Sequence, residues 1–287
     1  MRVVFLYECR FRNDGSPLYL KTNMDWFKEQ LGLVEVKHYI PGDEYRGGKF
    51  DLYIWVDHGE DVLPVPKYKC PKPNCYWASD THLGLDYRLN KAKEFDVVFV
   101  TISSHVDLFR KFLKHDRVYW LPHAGEPTAY YPYNIVKKYD VGFIGYLPTQ
   151  ERIDLLDSLF RRFPNFKYGQ AFFEEAARQL SMCKIGFNCS VRDEANMRAF
   201  EIPLTKTLLL TDYSPDLEKL GFKDGENVAF YDNPEEMLEK ATFYVEHDEE
   251  RELVAECGYN LVLNNHTYLH RAYDMLEKVI ECLDLKW

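Results

Sequence analysis

Residues 184–212 read KIGFNCSVRDEANMRAFEIPLTKTLLLTD, and the order of residue types in this stretch decides the fold class. Ile185–Gly186–Phe187 is a short apolar run that predicts a buried strand ending in a polar loop. The loop Ser190–Asn196 carries two acids and an arginine. Asn196 is a good N-cap type, so a short helix is expected to begin there and to hold Arg198 and Glu201 about one turn apart. Beyond Pro203 and Thr205, the run Thr207–Leu210 predicts a second buried strand that ends in Thr211–Asp212. A strand, a polar loop and a helix N-terminus form a standing anion site, because free backbone N–H groups and the positive end of the helix dipole point into the loop. Arg198 adds a planar cation suited to phosphate. Glu201 adds a carboxylate that accepts hydrogen bonds from a diol such as a ribose. A surface helix with an ordinary i,i+3 charge pair satisfies the same spacing.

On both sides of this stretch, strands alternate with helices at the pace of a parallel α/β sheet. The first half predicts strands at Val3–Tyr7, Val34–Tyr39, Phe50–Val56, Cys75–Ala78, Asp96–Val100 and Val118–Leu121, with helices over Leu20–Leu31, Leu85–Glu94 and Ser104–Leu113. Glu126–Asn134 holds two prolines and three tyrosines without periodicity and is the candidate linker. The pattern restarts with a strand at Asp140–Ile144, a helix at Arg152–Phe163, a strand at Phe166–Gly169 and a helix at Phe172–Met182. A strand near Val228–Tyr231 and two helices follow, Pro234–Asn264 (broken near His247) and Thr267–Leu283. Two Rossmann-like halves joined by one linker place ligands at the carboxyl ends of both sheets.

Composition narrows the class. At 287 residues the chain is long enough for two compact domains. Hydrophobic content of 46% with 29% charged residues is globular, and no apolar run approaches the ~20 residues of a membrane span. The N-terminus MRVVFLYECRFRNDG reads as a first strand and not as a signal peptide. A net charge of −10 disfavours a large nonspecific nucleic-acid surface, although a local basic cleft survives that average. The 21 tyrosines serve core and rim packing, or line a pocket for sugars or bases. Seven scattered cysteines, an odd number, suit reduced thiols in a cytoplasmic protein. Cys70 and Cys75, with His82 nearby, have a spacing used by some zinc sites, but no second cysteine pair completes one.

Polar residues at strand ends supply the candidate site groups. In the first half these are Asp14–Gly15, Asp57–His58, Asp80 with His82, and His123. Asp80 and His82 share a face of an extended segment, as a carboxylate orienting an imidazole requires; alternatively Asp80 caps the following helix and His82 packs beneath it. His123 follows Pro122 at a strand end and precedes Gly125, which suits a cleft residue or a satisfied buried histidine. In the second half Gly145 ends a strand and allows close backbone approach. Arg152, a few residues on, reaches a diphosphate or lies solvated on its helix.

NMRAFE at 196–201, LLLTD at 208–212, FKDGENVAFYDNPEEM at 222–237 and HTYLHRAYDML at 266–276 together resemble the C-terminal half of the CgeB-type (spore-maturation) glycosyltransferases. In the first half the resemblance rests on Trp77–His82, Trp120–His123 and Tyr139–Gly145. It implies the GT-B fold: two Rossmann-like α/β domains facing each other across a cleft, with the last helix crossing back to the first. The expected boundaries are 1–130 for the acceptor-side domain, 131–270 for the donor-binding domain and 271–287 for the returning helix. It also implies transfer of a sugar from a nucleotide-diphosphate sugar, a UDP-sugar first among them, to an acceptor that the sequence does not identify. No permanently bound cofactor and no metal are expected, and no isolated Asp-x-Asp is present to hold one.

By the same resemblance Gly145, Arg152, Asn196, Arg198 and Glu201 hold the donor, while Asp193 and His123 hold the sugar hydroxyls and Asp80 with His82 orients the acceptor. Asp193 and Glu201 occupy the places of the family's Glu-x7-Glu, whose second glutamate holds the ribose, and this implies retention of configuration. Asp193 is one methylene shorter than the family's acid, and Lys206 and Thr207 stand where the family has turn glycines. Two other classes stay open. One is a nucleotide- or sugar-binding protein of this fold without chemistry; the other is a metal-dependent hydrolase using Asp57, His58, Asp80, His82 and His123.

Overall fold

The computed structural model describes residues 2–7, 35–39, 49–57, 70–146, 149–190 and 194–285. The expected helix Leu20–Leu31, the turn Asp14–Gly15, the residue His58 and the residue Asp193 lie outside the described residues. The chain divides into two compact units, one of Met1–Pro122 with Tyr268–Trp287, the other of His123–Thr267.

The first unit opens with strands β1 (Arg2–Tyr7), β2 (Glu35–Tyr39), β3 (Leu52–Val56) and β4 (Asn74–Ala78). Helix α1 (Leu85–Ala92), strand β5 (Val97–Val100), helix α2 (Val106–Leu113) and strand β6 (Val118–Trp120) follow. All six strands run parallel in the order β2-β1-β3-β4-β5-β6, so the order reverses between β1 and β3. Every residue of β3, β4 and β5 is buried. That is why these strands read in sequence as unbroken apolar runs: a parallel sheet is covered on both faces. Trp55, Tyr76, Val98, Leu89 and Phe109 pack into one core between sheet and helices.

The second unit runs β7 (Tyr139–Ile144), α3 (Gln150–Arg162), β8 (Phe166–Gly169), α4 (Phe173–Ser181), β9 (Cys183–Phe187) and α5 (Arg198–Leu204). It continues with β10 (Leu208–Asp212), α6 (Pro215–Lys219), β11 (Ala229–Tyr231), α7 (Pro234–Glu246) and α8 (Asp248–Asn265). The five strands are parallel in the order β11-β10-β9-β7-β8, with the reversal between β7 and β9. Asn233 caps α7 through the amides of Glu235 and Glu236, with Pro234 at the first helical position. The expected long helix is broken at His247, as its sequence suggested.

Glu126–Asn134 is not an extended linker. Glu126, Ala129 and Tyr130 are buried within the second unit. The Glu126 carbonyl accepts from the Ala129 and Tyr130 amides (3.1 and 2.8 Å), and the Gly125 amide donates to the His266 carbonyl (2.9 Å). A turn that satisfies its own backbone packs without any periodic pattern.

The last helix, α9 (Tyr268–Leu283), belongs to the first unit. Tyr268 meets the Trp77 ring edge-on at 6.2 Å, Arg271 Nε donates to the Pro122 carbonyl (3.1 Å), and Cys282 Sγ lies 3.0 Å from the Tyr119 hydroxyl. Among the described residues, no helix is long and apolar enough to cross a membrane.

Candidate functional site

In an open α/β sheet the point where strand order reverses leaves a crevice at the carboxyl ends of the strands. In the second unit that point lies between β7 and β9. Gly145 follows β7 directly. A Cβ built there would stand 2.5 Å from an Arg198 guanidinium nitrogen, so glycine is what lets the arginine lie against the strand end. Arg198 Cζ sits 5.3 Å from the centre of the buried Phe143 ring, and Arg152 Cζ sits 5.8 Å from it.

Arg152 itself is buried. Its Nη1 donates to the Tyr146 carbonyl (3.1 Å) and its Nη2 to the Cys189 carbonyl, so it staples the loop after β7 to the loop after β9. Its positive charge remains under the crevice while its terminal nitrogens serve the backbone.

The loop between β9 and α5 is fixed by a chain of polar side chains. Asn196 Oδ1 accepts from the Ala199 amide (3.2 Å), the capping role expected of it, and Asn196 Nδ2 donates to Asn188 Oδ1 (3.2 Å). Asn188 Nδ2 donates to Thr211 Oγ1 (3.0 Å), and Thr211 donates to Asp212 Oδ1 (3.0 Å). Asp212 also accepts from the Ser190 amide (2.8 Å) and from the Ser190 hydroxyl. A network satisfied in this way rigidifies the strand ends. Helix α5 has only seven residues, so the field of its N-terminus is that of a short helix, and the two arginines carry more of the positive potential than its dipole.

Glu201 lies one turn into α5 and is 8% exposed. Burial, and then the charge of Glu201, raises the pKa of the buried Tyr130 phenol and keeps it protonated. His123 and Glu194 are both buried, with Nε2 3.6 Å from Oε1. Glu194, next to the anticipated Asp193, was not singled out in the sequence. Nor was Tyr130, which sits in a stretch without periodicity.

The strand ends of the first unit are of another kind. The buried carboxylate of Asp57 is closed off by Arg88 Nε at 2.6 Å and by the Tyr76 hydroxyl, which donates to Oδ2 at 2.8 Å. That carboxylate holds β3 to β4 and α1 and is committed elsewhere than to a metal ion. Asp80 follows β4 in the left-handed region (φ 44°), a conformation that Asp tolerates better than most residues, and its carbonyl accepts from the Leu83 amide (2.8 Å). Helix α1 starts only after Gly84 and has no side-chain cap, so Asp80 does not cap it. Asp80 and His82 are half-buried. Thr81 Oγ1 lies 2.6 Å from His105 Nδ1, a histidine that the sequence did not mark out. Burial pushes the Cys70 thiol up to about 12 and the Cys75 thiol well above its ordinary value, so both are held as neutral thiols.

Comparison with known proteins agrees with this geometry. Residues 152–277 match a family described as glycosyl transferase-like. Among curated proteins, no sequence is similar enough to match the chain. Of solved structures, HepE of Anabaena in complex with UDP and glucose superposes with a TM-score of 0.69 at 12% identity, over 98% of this chain and 100% of that one. Sucrose-phosphate synthase of Thermosynechococcus elongatus superposes with 0.67 at 10% identity, over 99% and 100%. An alpha-glucosyltransferase in complex with UDP and a 13-mer DNA containing an HMU base gives 0.62 at 11% identity, over 96% and 99%. The chain has the GT-B fold, two parallel-sheet α/β domains.

Proposed function

We propose that the protein is a glycosyltransferase that takes its sugar from a nucleotide-diphosphate sugar, of which a UDP-sugar is favoured, and that it is of the CgeB-like kind. The observation that carries this is the placement of Arg198 against Gly145, beside Glu201, at the β7/β9 reversal of the second unit. In this reading Arg198 and the loop capped by Asn196 take the diphosphate, Gly145 gives it close approach to the backbone, and Glu201 accepts the ribose hydroxyls. Arg152 shapes the loops and adds its charge. Support comes from HepE and from the DNA-bound glucosyltransferase, whose structures hold UDP.

Two arginines beneath the departing diphosphate stabilise the charge it develops, the task that a divalent ion performs elsewhere. Transfer in the presence of EDTA at the rate seen with magnesium is therefore the expected result. His123, with Asp193 or its neighbour Glu194, is proposed to hold the sugar hydroxyls, and Asp80 with His82 the acceptor. Retention of the donor's anomeric configuration is the proposed outcome, read from the product by NMR. The acceptor is a glycan, a protein, a small molecule or a modified nucleic-acid base, and the reaction belongs in the cytoplasm.

Titration calorimetry tests the donor site. Glu201→Ala should weaken UDP binding by at least about 10-fold, the scale of one lost hydrogen bond to a charged group. Glu277→Ala, on the exposed side of α9, should leave it unchanged. Equal affinity of wild type and Glu201→Ala removes the proposal.

A further inference from the structure

Glu126 is a carboxylic acid with no exposed surface, at the start of a turn in the second unit. Its two oxygens are not alike. Oε1 accepts from the Thr128 amide (3.0 Å) and from the Thr128 hydroxyl (2.8 Å). Oε2 is buried and has no hydrogen-bond partner among the described residues. The turn is wedged against the helix that carries Arg198 and Glu201. A Cβ at Gly125 would stand 2.5 Å from the Leu204 side chain and 3.3 Å from the Phe200 carbonyl on α5, and 3.3 Å from Val262 on α8. The turn also holds other groups in place. The Glu126 carbonyl accepts from the Ala129 and Tyr130 amides, and the Tyr130 hydroxyl oxygen accepts from the Phe173 amide (3.2 Å) at the start of α4.

The charged and titratable groups on the surrounding elements do not neutralise a carboxylate at this place. Arg198 and Glu201 stand on α5, Glu174 and Glu175 open α4, and α8 has no charged residue from Tyr259 to Asn265. His266, beside Gly125, has Nε2 2.7 Å from the Leu220 carbonyl, and His123 has Nε2 3.6 Å from Glu194. No ion pair reaches Glu126 among the described residues. Burial raises its pKa above the ordinary 4.5, and the two Thr128 bonds oppose the rise. A charge with one oxygen sealed from water and from any donor costs far more than a neutral acid. An acid also matches the bonding pattern, since its carbonyl oxygen takes both donors and its hydroxyl oxygen carries the proton.

We infer that Glu126 carries a proton on Oε2 in the folded protein and is a pH-sensitive latch on the turn that supports α5. When the O–H bond breaks, the proton passes to solvent beside the exposed Thr128, and the charge left behind draws the turn out of the core. Tyr130 goes with it, and the Phe173 amide loses its acceptor. The latch does not depend on what α5 binds.

The test follows amide hydrogen exchange of the full chain by NMR. Protection factors at Ala129, Tyr130 and Phe173 are measured from about pH 6 upward, where exposed glutamates are already ionised. In wild type all three should fall together as pH rises, by up to about tenfold per unit. Glu126→Gln keeps an acceptor for Thr128 and does not ionise, so its protection should stay level. Urea denaturation should agree in sign: a proton held by the folded state makes wild-type stability fall with rising pH relative to Glu126→Gln. Infrared difference spectra at the lower end of the range should show a protonated carboxyl in wild type that is missing from Glu126→Gln. Equal pH dependence of the two proteins, or an ionised carboxylate in that difference, overturns the inference. Should Glu126→Gln fail to fold, Thr128→Val removes a bond that favours the ionised form. The fall in protection should then move to higher pH, and a move to lower pH or no move overturns the latch.

Discussion

The strand ends of the two sheets use buried charge in opposite ways. In the second unit, arginines are held against a ring, a glycine and backbone carbonyls, so positive potential is kept at the place where the strand order reverses. In the first unit the buried charge at the corresponding place is Asp57, and Arg88 and Tyr76 close it off. One set of strand ends gathers positive charge, and the other pairs a buried carboxylate to hold the sheet together. A diphosphate has fixed geometry, so its site repeats in recognisable form. An acceptor has no fixed geometry, and the residues proposed for it, Asp80 and His82, stand in a turn with no comparable grammar.

The largest effect that sharpens this contrast is expected at Arg88. Arg88→Met takes the cation away from the buried Asp57 carboxylate and should destabilise the protein by about 3–5 kcal/mol in urea denaturation. UDP affinity of the folded protein should stay within about 2-fold. A loss of UDP binding as large as that of Glu201→Ala would erase the division of labour.

Next in size is a pH effect at the amino end of the second sheet. Lys137 Nζ donates to the Cys183 carbonyl (2.8 Å), and burial lowers its pKa from 10.5 to about 8. Between these values the unfolded chain binds more protons than the folded one, so stability rises with pH through that window. At about 1.4 kcal/mol per unit the gain approaches about 3 kcal/mol. It should be absent from Lys137→Met, compared with wild type at each pH.

Arg198→Met should cost about 2 kcal/mol of UDP affinity, as expected for lost hydrogen bonds to a charged group. Uridine binding should not change, and Arg198→Lys should recover little, because a point charge does not reproduce the planar fork. Gly145→Ala, which displaces the guanidinium, should mimic the loss. Asn196→Ala should be the mildest, about 1 kcal/mol of stability for the lost cap. An Asn196→Ala effect on UDP affinity larger than that of Arg198→Met would move the centre of the site from the cation to the loop.

Most of the fold is legible in the sequence, because strands buried on both faces leave continuous apolar runs and helix ends leave caps. Val97–Val100, Phe166–Gly169 and the break at His247 all show this. Helix α6 escapes because its five residues are too few to show a period. The groups proposed for the donor, Gly145, Asn196, Arg198 and Glu201, stand out because strand, loop and helix start follow one another in a fixed order. The burial of Arg152 had a signal that went unused: it shares the buried face of α3 with Leu155, Leu156 and Leu159, at helical spacing. Tyr130 had none. Its burial depends on a turn whose packing partners, on α4, α5 and α8, are distant in the chain.

The first unit is written in two pieces, with the whole second unit between them. During synthesis the ribosome therefore finishes residues 123–267, a body with its own sheet and core, before it makes the helix Tyr268–Leu283. Until that helix emerges, Trp77 and Tyr119 lack the contacts with Tyr268 and Cys282 that complete their surroundings. The order of maturation is thus imposed by connectivity: the half that begins first is completed last. A premature stop after Thr267 would spare the second unit and leave the first with an uncovered apolar face for chaperones and proteases to meet.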